Sequence, residues 1–168
     1  MSVRIIGCGN PHRMDDAAGV LVAQRLREMR IPAEIQSGGA FELVGSWNEA
    51  DDMILIDAMV TGSPVGSVHV WDGNPPRVPS NSQLSSHGFG VAEAINLGRI
   101  LKLLPRTLRV YGIEGKEFGM GESVSPEVLR GVEEVAQQIA LNILQSDKTQ
   151  ADLDTSQAHS LQISNSRS

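Results

Sequence analysis

A three-layer αβα sandwich, built on a mostly parallel, twisted sheet of about five strands with one antiparallel edge strand, is the fold this sequence predicts. Three observations predict it. Short apolar runs alternate with amphipathic stretches through most of the 168 residues. One later run alternates apolar and polar residues as a half-exposed strand does. Crossovers between parallel strands are right-handed, which leaves few topologies to consider.

Val3 to Gly7 reads as a short buried strand, ended by the turn-rich Cys8-Gly9-Asn10-Pro11-His12. Asp15 and Asp16 then open a helix to about Arg30, with Ala18, Val22, Leu26 and Met29 on one face of a 3.6-residue period and Arg25 and Glu28 on the other. Ala33 to Ser37 is the second strand, and Gly38-Gly39 breaks it. Phe41 to Ala50 reads as a short helix, and Met53 to Ile56 as the third strand, directly ended by Asp57. Gly66 to Trp71 carries the alternation expected of an edge strand.

From Asp72 to Ser86 the chain is rich in Pro, Asn and Ser, a long loop of the kind that is often functional, and it delivers His87 to the start of a helix. Val91, Ala94, Ile95, Gly98 and Leu101 give that helix an apolar face, and Pro105 follows its end. Thr107 to Ile113 is the fifth strand. Ser125-Pro126-Glu127 is an N-cap followed by Pro at the first helical position, ahead of a buried stripe of Val128, Val132, Val135, Ile139 and Ile143. The expected organisation is therefore one domain over residues 1–145. Residues 146–168 are rich in Ser, Gln, Asn, Asp and Thr, too polar to offset the entropy of ordering, and read as a disordered tail.

Composition narrows the function. A formal net charge of −6 with scattered Lys and Arg argues against nucleic acid and against an anionic membrane surface. No apolar run approaches the roughly 20 residues of a membrane span, and Met1 to Gly7 is too short for a signal peptide, so a cytoplasmic location is expected. With six aromatic residues, aliphatic side chains must fill the core. The single cysteine, Cys8, excludes an intrachain disulfide and any metal site built on cysteine pairs.

In an open α/β sheet, ligands bind outside the carboxyl ends of the strands. Asp16, Asp57 and His87 all stand near such positions, and two carboxylates with an imidazole form a sensible open site for a first-row divalent cation. Each has a plainer explanation. Asp15 or Asp16 would stabilise a helix N-terminus through its dipole, and His87 would serve as a hydrogen-bonded loop or cap residue. Asp57 is harder to explain so, because a carboxylate ending an apolar buried strand costs desolvation. Cys8 reads as a small apolar filler, and His69 and His159 as solvated. Gly7-Cys8-Gly9 departs from the dinucleotide-binding pattern, since His12 replaces its third glycine.

Gly7-Cys8-Gly9-Asn10-Pro11, Arg13-Met14-Asp15-Asp16 and Gly19-Val20 together resemble the G-x-G-N-x-x-x-x-D-[DE]-x-x-G-V opening of the nickel-iron hydrogenase maturation proteases. Gly38-Gly39, Ile56-Asp57-Ala58, Pro64-Val65-Gly66, Ser85-Ser86-His87, Gly112-Ile113-Glu114 and Leu129 after Ser125-Pro126 follow in the family's order. The resemblance spans roughly residues 3 to 145. It implies a processing endopeptidase, a hydrolase that removes a short C-terminal extension from the hydrogenase large-subunit precursor once nickel has been inserted. It further implies that Asp16, Asp57 and His87 contact the metal, supplied by the precursor. Asp15 is a possible accessory base in that reading. Ala40 and Gly115 depart from the family pattern, standing where Thr and Pro are common. The alternatives are a non-catalytic metal- or precursor-binding chaperone using the same residues, and a nucleotide-binding domain using the Gly7 to Pro11 turn.

Overall fold

The computed structural model describes residues 3–48, 51–73 and 90–165. Its strands are β1 (Val3–Cys8), β2 (Glu34–Gln36), β3 (Asp52–Met59), β4 (Val68–Gly73) and β5 (Thr107–Glu114), and its helices α1 (Ala18–Glu28), α2 (Ala40–Gly45), α3 (Val91–Leu101) and α4 (Pro126–Asn165). The sheet order is β2-β1-β3-β5-β4. All neighbours run parallel except β4, which pairs antiparallel with β5 at the edge. The five-stranded mixed α/β fold expected from periodicity is the fold found.

The two sheet faces divide by alternation along the strands. Ile6, Met53, Leu55, Leu108 and Val110 pack on one face with Leu43 and Val44 of α2, Trp47, and Val91, Ala94 and Ile95 of α3. On the other face, the α1 residues Val22 and Leu26 are fully buried. Arg25 of α1 bridges to Glu133 of α4 at 2.8 Å. Aliphatic residues dominate both layers, as six aromatics require.

Two local features place the first helix. A Cβ on Gly7 would sit 2.1 Å from the Gly19 carbonyl oxygen, and one on Gly19 would sit 2.3 Å from the carbonyl oxygens of Cys8 and Ile56. Only glycine at both positions lets α1 start so close to the ends of β1 and β3. The helix expected from Asp15 is in fact a 3-10 turn, Met14–Ala17, that leads into α1 at Ala18. Strand β3 extends past Ile56 to Met59, so Asp57 lies within its carboxyl-terminal part rather than just after it. Pairing explains the extension: Asp57, Ala58 and Met59 continue the ladder with Gly112, Ile113 and Glu114.

The chain divides into two compact units, residues 1–136 and 137–168. In the second unit, α4 continues to Asn165, where a tail without regular structure was expected from residue 146. Leu141, Leu144 and Leu153 are all more than half exposed there. Side chains stitch successive turns: the hydroxyls of Ser146 and Thr149 donate to the carbonyls of Asn142 and Gln145, and the Gln150 amide donates to Asp154 at 3.0 Å. Low apolar content speaks against burial. It does not forbid a helix in a stretch that has no Gly or Pro after Gly131 and is rich in Gln, Ala, Leu and Asp.

Candidate functional site

Beyond the carboxyl ends of β1 and β3, on the face that carries α2 and α3, the protein has a cleft of about 80 Å3. Cys8, Gly9, Asn10 and Asp16 line it from the first loop, Gln36 to Ala40 and Leu43 from the β2–α2 connection, Asp57 from β3, and Gly90 and Val91 from the start of α3. The sequence-predicted residues Asp16 and Asp57 thus meet in one crevice. His87 lies outside the described residues, as does nearly all of the expected 72–86 loop. The helix that His87 precedes begins in the cleft lining.

Asp16 is 7% exposed, and the backbone N–H of Asn10 donates to its Oδ2 at 2.9 Å. Gly9, with φ of +135°, makes this possible. A Cβ there would sit 2.0 Å from the Asp16 carbonyl oxygen, so the loop can fold back on the aspartate only with glycine at that position. Asp57 accepts from the Ala58 N–H at 2.9 Å. Although part of the residue touches solvent, burial of its carboxyl raises the pKa well above the ordinary range, and the nearby charges of Asp16 and Glu93 add to the rise. The Cys8 thiol is also pushed up, first by burial and then by Asp57 and Asp16, which disfavours the thiolate.

An acidic pair in which one member resists ionisation is what a bound cation relieves, so Asp16 and Asp57 suit a divalent ion. Among the described residues no three His, Cys, Asp or Glu side chains are grouped to hold one.

Asp15 has a different position from its neighbour. It is fully buried and accepts four hydrogen bonds: from the N–H groups of Lys116 at 2.9 Å, Glu117 at 3.1 Å and Ser125 at 2.8 Å, and from the Ser125 hydroxyl at 2.9 Å. Burial pulls its pKa upward, but those donors outweigh burial and hold it below the usual carboxylate value. Both oxygens are occupied and the group is a weak base. These bonds give Asp15, the possible accessory base, a structural part in fastening the 116–125 segment against the first loop. Backbone bonds reinforce the seam, from Met14 N–H to the Gly121 carbonyl and from Gly121 N–H to the His12 carbonyl, both at 2.9 Å. Gly115, one of the two family departures, fits here. Its N–H donates to the Met59 carbonyl at 2.8 Å, which proline cannot do, and a Cβ would meet Phe118 at 2.7 Å.

A second buried carboxylate organises the loop after β3. Glu114 is 2% exposed and accepts from the N–H groups of Thr61 and Gly62 and from the Thr61 hydroxyl. His69, expected to be solvated, lies 3.4 Å from that carboxylate and stacks on Trp71 with ring centroids 5.5 Å apart. Sequence reading missed the roles of Glu114 and His69 as well as the Gln36 to Gly39 wall. The signal for Glu114 was available, since an acid ending an apolar strand raises the same question that singled out Asp57.

A family model described as hydrogenase maturation protease matches residues 20–142. The chain is 26% identical over 153 residues to the hydrogenase 2 maturation protease of Escherichia coli strain K12, covering 87% of this chain and 93% of that protein. It superposes on the hydrogenase maturating endopeptidase HybD from E. coli with a TM-score of 0.69 at 24% identity, over 87% of this chain and 94% of the other. For the NiFe hydrogenase maturation protease HybD from Thermococcus kodakarensis the TM-score is 0.62 at 25% identity, over 85% and 99%.

Proposed function

Because the chain belongs to the hydrogenase maturation protease family, we propose that it removes a short C-terminal extension from the large-subunit precursor of a nickel-iron hydrogenase after nickel insertion. The observation that carries this reading is the meeting of Asp16 and Asp57 in one cleft whose wall includes the start of the helix after His87. In this reading Asp16, Asp57 and His87 contact the nickel that the precursor presents. The precursor is the partner and the cytoplasm the place of action. No helix among the described residues is long and apolar enough to cross a membrane.

The electrostatics support a licensing role for the metal. Without a cation, burial and Asp16 favour the protonated form of Asp57; a cation held by the precursor favours the ionised form. The site thus reaches its working charge state only with metal-loaded substrate, which is a differential interaction of the kind a proofreading step needs. Positioning the scissile bond beside these groups supplies the rest, since orientation alone lowers a barrier substantially.

Intact-mass measurement of a nickel-loaded precursor tests this. The wild-type enzyme should shorten it at the C-terminus, and Asp16→Ala and His87→Ala should leave it uncut. Normal trimming by both variants contradicts the site assignment. Binding of the precursor by the wild type without any loss of mass instead identifies a chaperone.

A further inference from the structure

An endopeptidase must hold its substrate as an extended chain, and among the described residues the edge of β2 is a place from which an extended chain leads into the cleft. We propose that the free edge of β2 binds the precursor's C-terminal segment as an added strand, which pairs with Ile35 and Ser37 and continues past Gly38-Gly39 to Asp16 and Asp57. This inference rests on the endopeptidase reading above and specifies how that substrate is held.

Among the described residues, strand β2 is outermost in the sheet and pairs with β1 alone. The Gly9 N–H donates to the Gln36 carbonyl at 3.1 Å, so the Gln36 carbonyl is turned toward β1. Backbone direction alternates along a strand, which turns the N–H and C=O of Ile35 outward. Such groups on an open edge are a template for another strand. The strand is short, three residues, and Glu34 is its one charged residue, so what remains open on the edge is the Ile35 position and the extended chain that follows it. Ile35 is apolar and 37% exposed, and the adjacent Glu34 is drawn back by a 2.9 Å salt bridge to Arg4.

The edge is continuous with the candidate site. Gln36, Ser37, Gly38 and Gly39 form one wall of the cleft, and Ser37 to Gly39 are exposed. Gly39 is itself extended, with φ of −79° and ψ of −171°. The two glycines carry no side chain of their own on that path, and the Glu42 side chain of α2 lies against them, within 3.0 to 3.4 Å of where their Cβ atoms would be. Main-chain pairing gives affinity, and side chains that alternate toward the cleft give selectivity.

Hydrogen exchange on the full chain, with and without nickel-loaded precursor, reads this directly. The outward amide of Ile35 should exchange fast in the free enzyme and slow at least tenfold in the complex, while the β1-facing Gln36 amide changes little. Two variants provide the kinetic arm. Ile35→Pro removes an N–H that no ladder bond uses, and Ile35→Lys guards the edge with a charge. Each should raise KM for the precursor roughly tenfold with kcat within about twofold, the loss expected from one or two net hydrogen bonds. Unchanged KM in a folded Ile35→Lys variant together with no protection at Ile35 overturns the inference, while wild-type trimming leaves the endopeptidase reading standing. Protection at Ile35 without any trimming supports the docking edge and sinks the endopeptidase reading. Protection that grows with enzyme concentration alone would assign the edge to a second copy of this chain and overturn the inference.

Discussion

Two consecutive aspartates in this protein do opposite work. Asp15 is sealed in the structure with four donors on its oxygens, whereas Asp16 lines the cleft. Asp15→Asn keeps the size but replaces one acceptor oxygen with an amide that faces N–H donors. It should cost about 2–3 kcal/mol, the penalty for buried groups left unpaired, and lower the melting temperature by roughly 4–10 °C. Because the folded-state pKa of Asp15 is depressed, its contribution is present above the ordinary carboxylate pKa and lost as pH falls through the folded value. The melting gap between variant and wild type should therefore shrink in acid; a variant as stable as wild type at neutral pH contradicts the fastening role. Asp57 runs the other way. Its folded-state pKa is raised, so between the unfolded and folded values the native state holds the extra proton and stability falls as pH rises. Asp57→Asn should melt higher than the metal-free wild type at neutral pH, with the difference vanishing below about pH 4. Equal melting across that range would mean that the carboxyl is not desolvated. The sequence singled out all three aspartates but could not divide them. What separates Asp15 from Asp16 is a set of donors from residues 116–125, more than 100 positions away along the chain, and no local pattern encodes it.

At the scale of elements, apolar spacing located α1, α3, the buried first half of α4 and the edge strand β4, because each sits on one face of a layer, while the other strands and α2 were legible as short runs between breaks. Where the structure differs, a tertiary partner or its absence decides. Strand β3 runs three residues beyond Ile56 because β5 pairs with it there. Helix α4 runs 20 residues beyond Gln145 because an exposed helix needs only compatible residues, and polarity speaks against burial but not against helix. The wall from Gln36 to Gly39 was legible only as a strand followed by a break, since a cleft is a property of neighbours. Gly19 allows a sharp test of why α1 begins where it does. Replacing a helical glycine with alanine ordinarily stabilises by up to about 1 kcal/mol. Here the added Cβ would lie 2.3 Å from two carbonyl oxygens. Steric conflict should win, so that Gly19→Ala destabilises by about 1–3 kcal/mol and displaces Asp16 enough to slow trimming. A stabilised, fully active variant would show that the approach of α1 to the sheet is not set by that contact.

The molecule as a whole concentrates acid at the carboxyl ends of its strands, where the proposed function puts the precursor's metal. A chain of net charge −6 places Asp16 and Asp57 in one small cleft at the carboxyl ends of its strands, with the charge of Glu93 also felt by Asp57, and it leaves the pair under mutual repulsion. Fold class and the two carboxylates of the cleft could be read from the sequence, because strand ends and buried acids are local signals. The remaining wall and the path by which a chain would reach it required the assembled sheet. Membership of the hydrogenase maturation protease family gives that arrangement its context. The central claim is that the precursor's nickel completes the working state of the site. The most direct measurement is the intact mass of one precursor, prepared with and without nickel, after incubation with the same enzyme. The loaded precursor should lose a C-terminal fragment while the nickel-free one keeps its full mass; equal cleavage of both would contradict the claim.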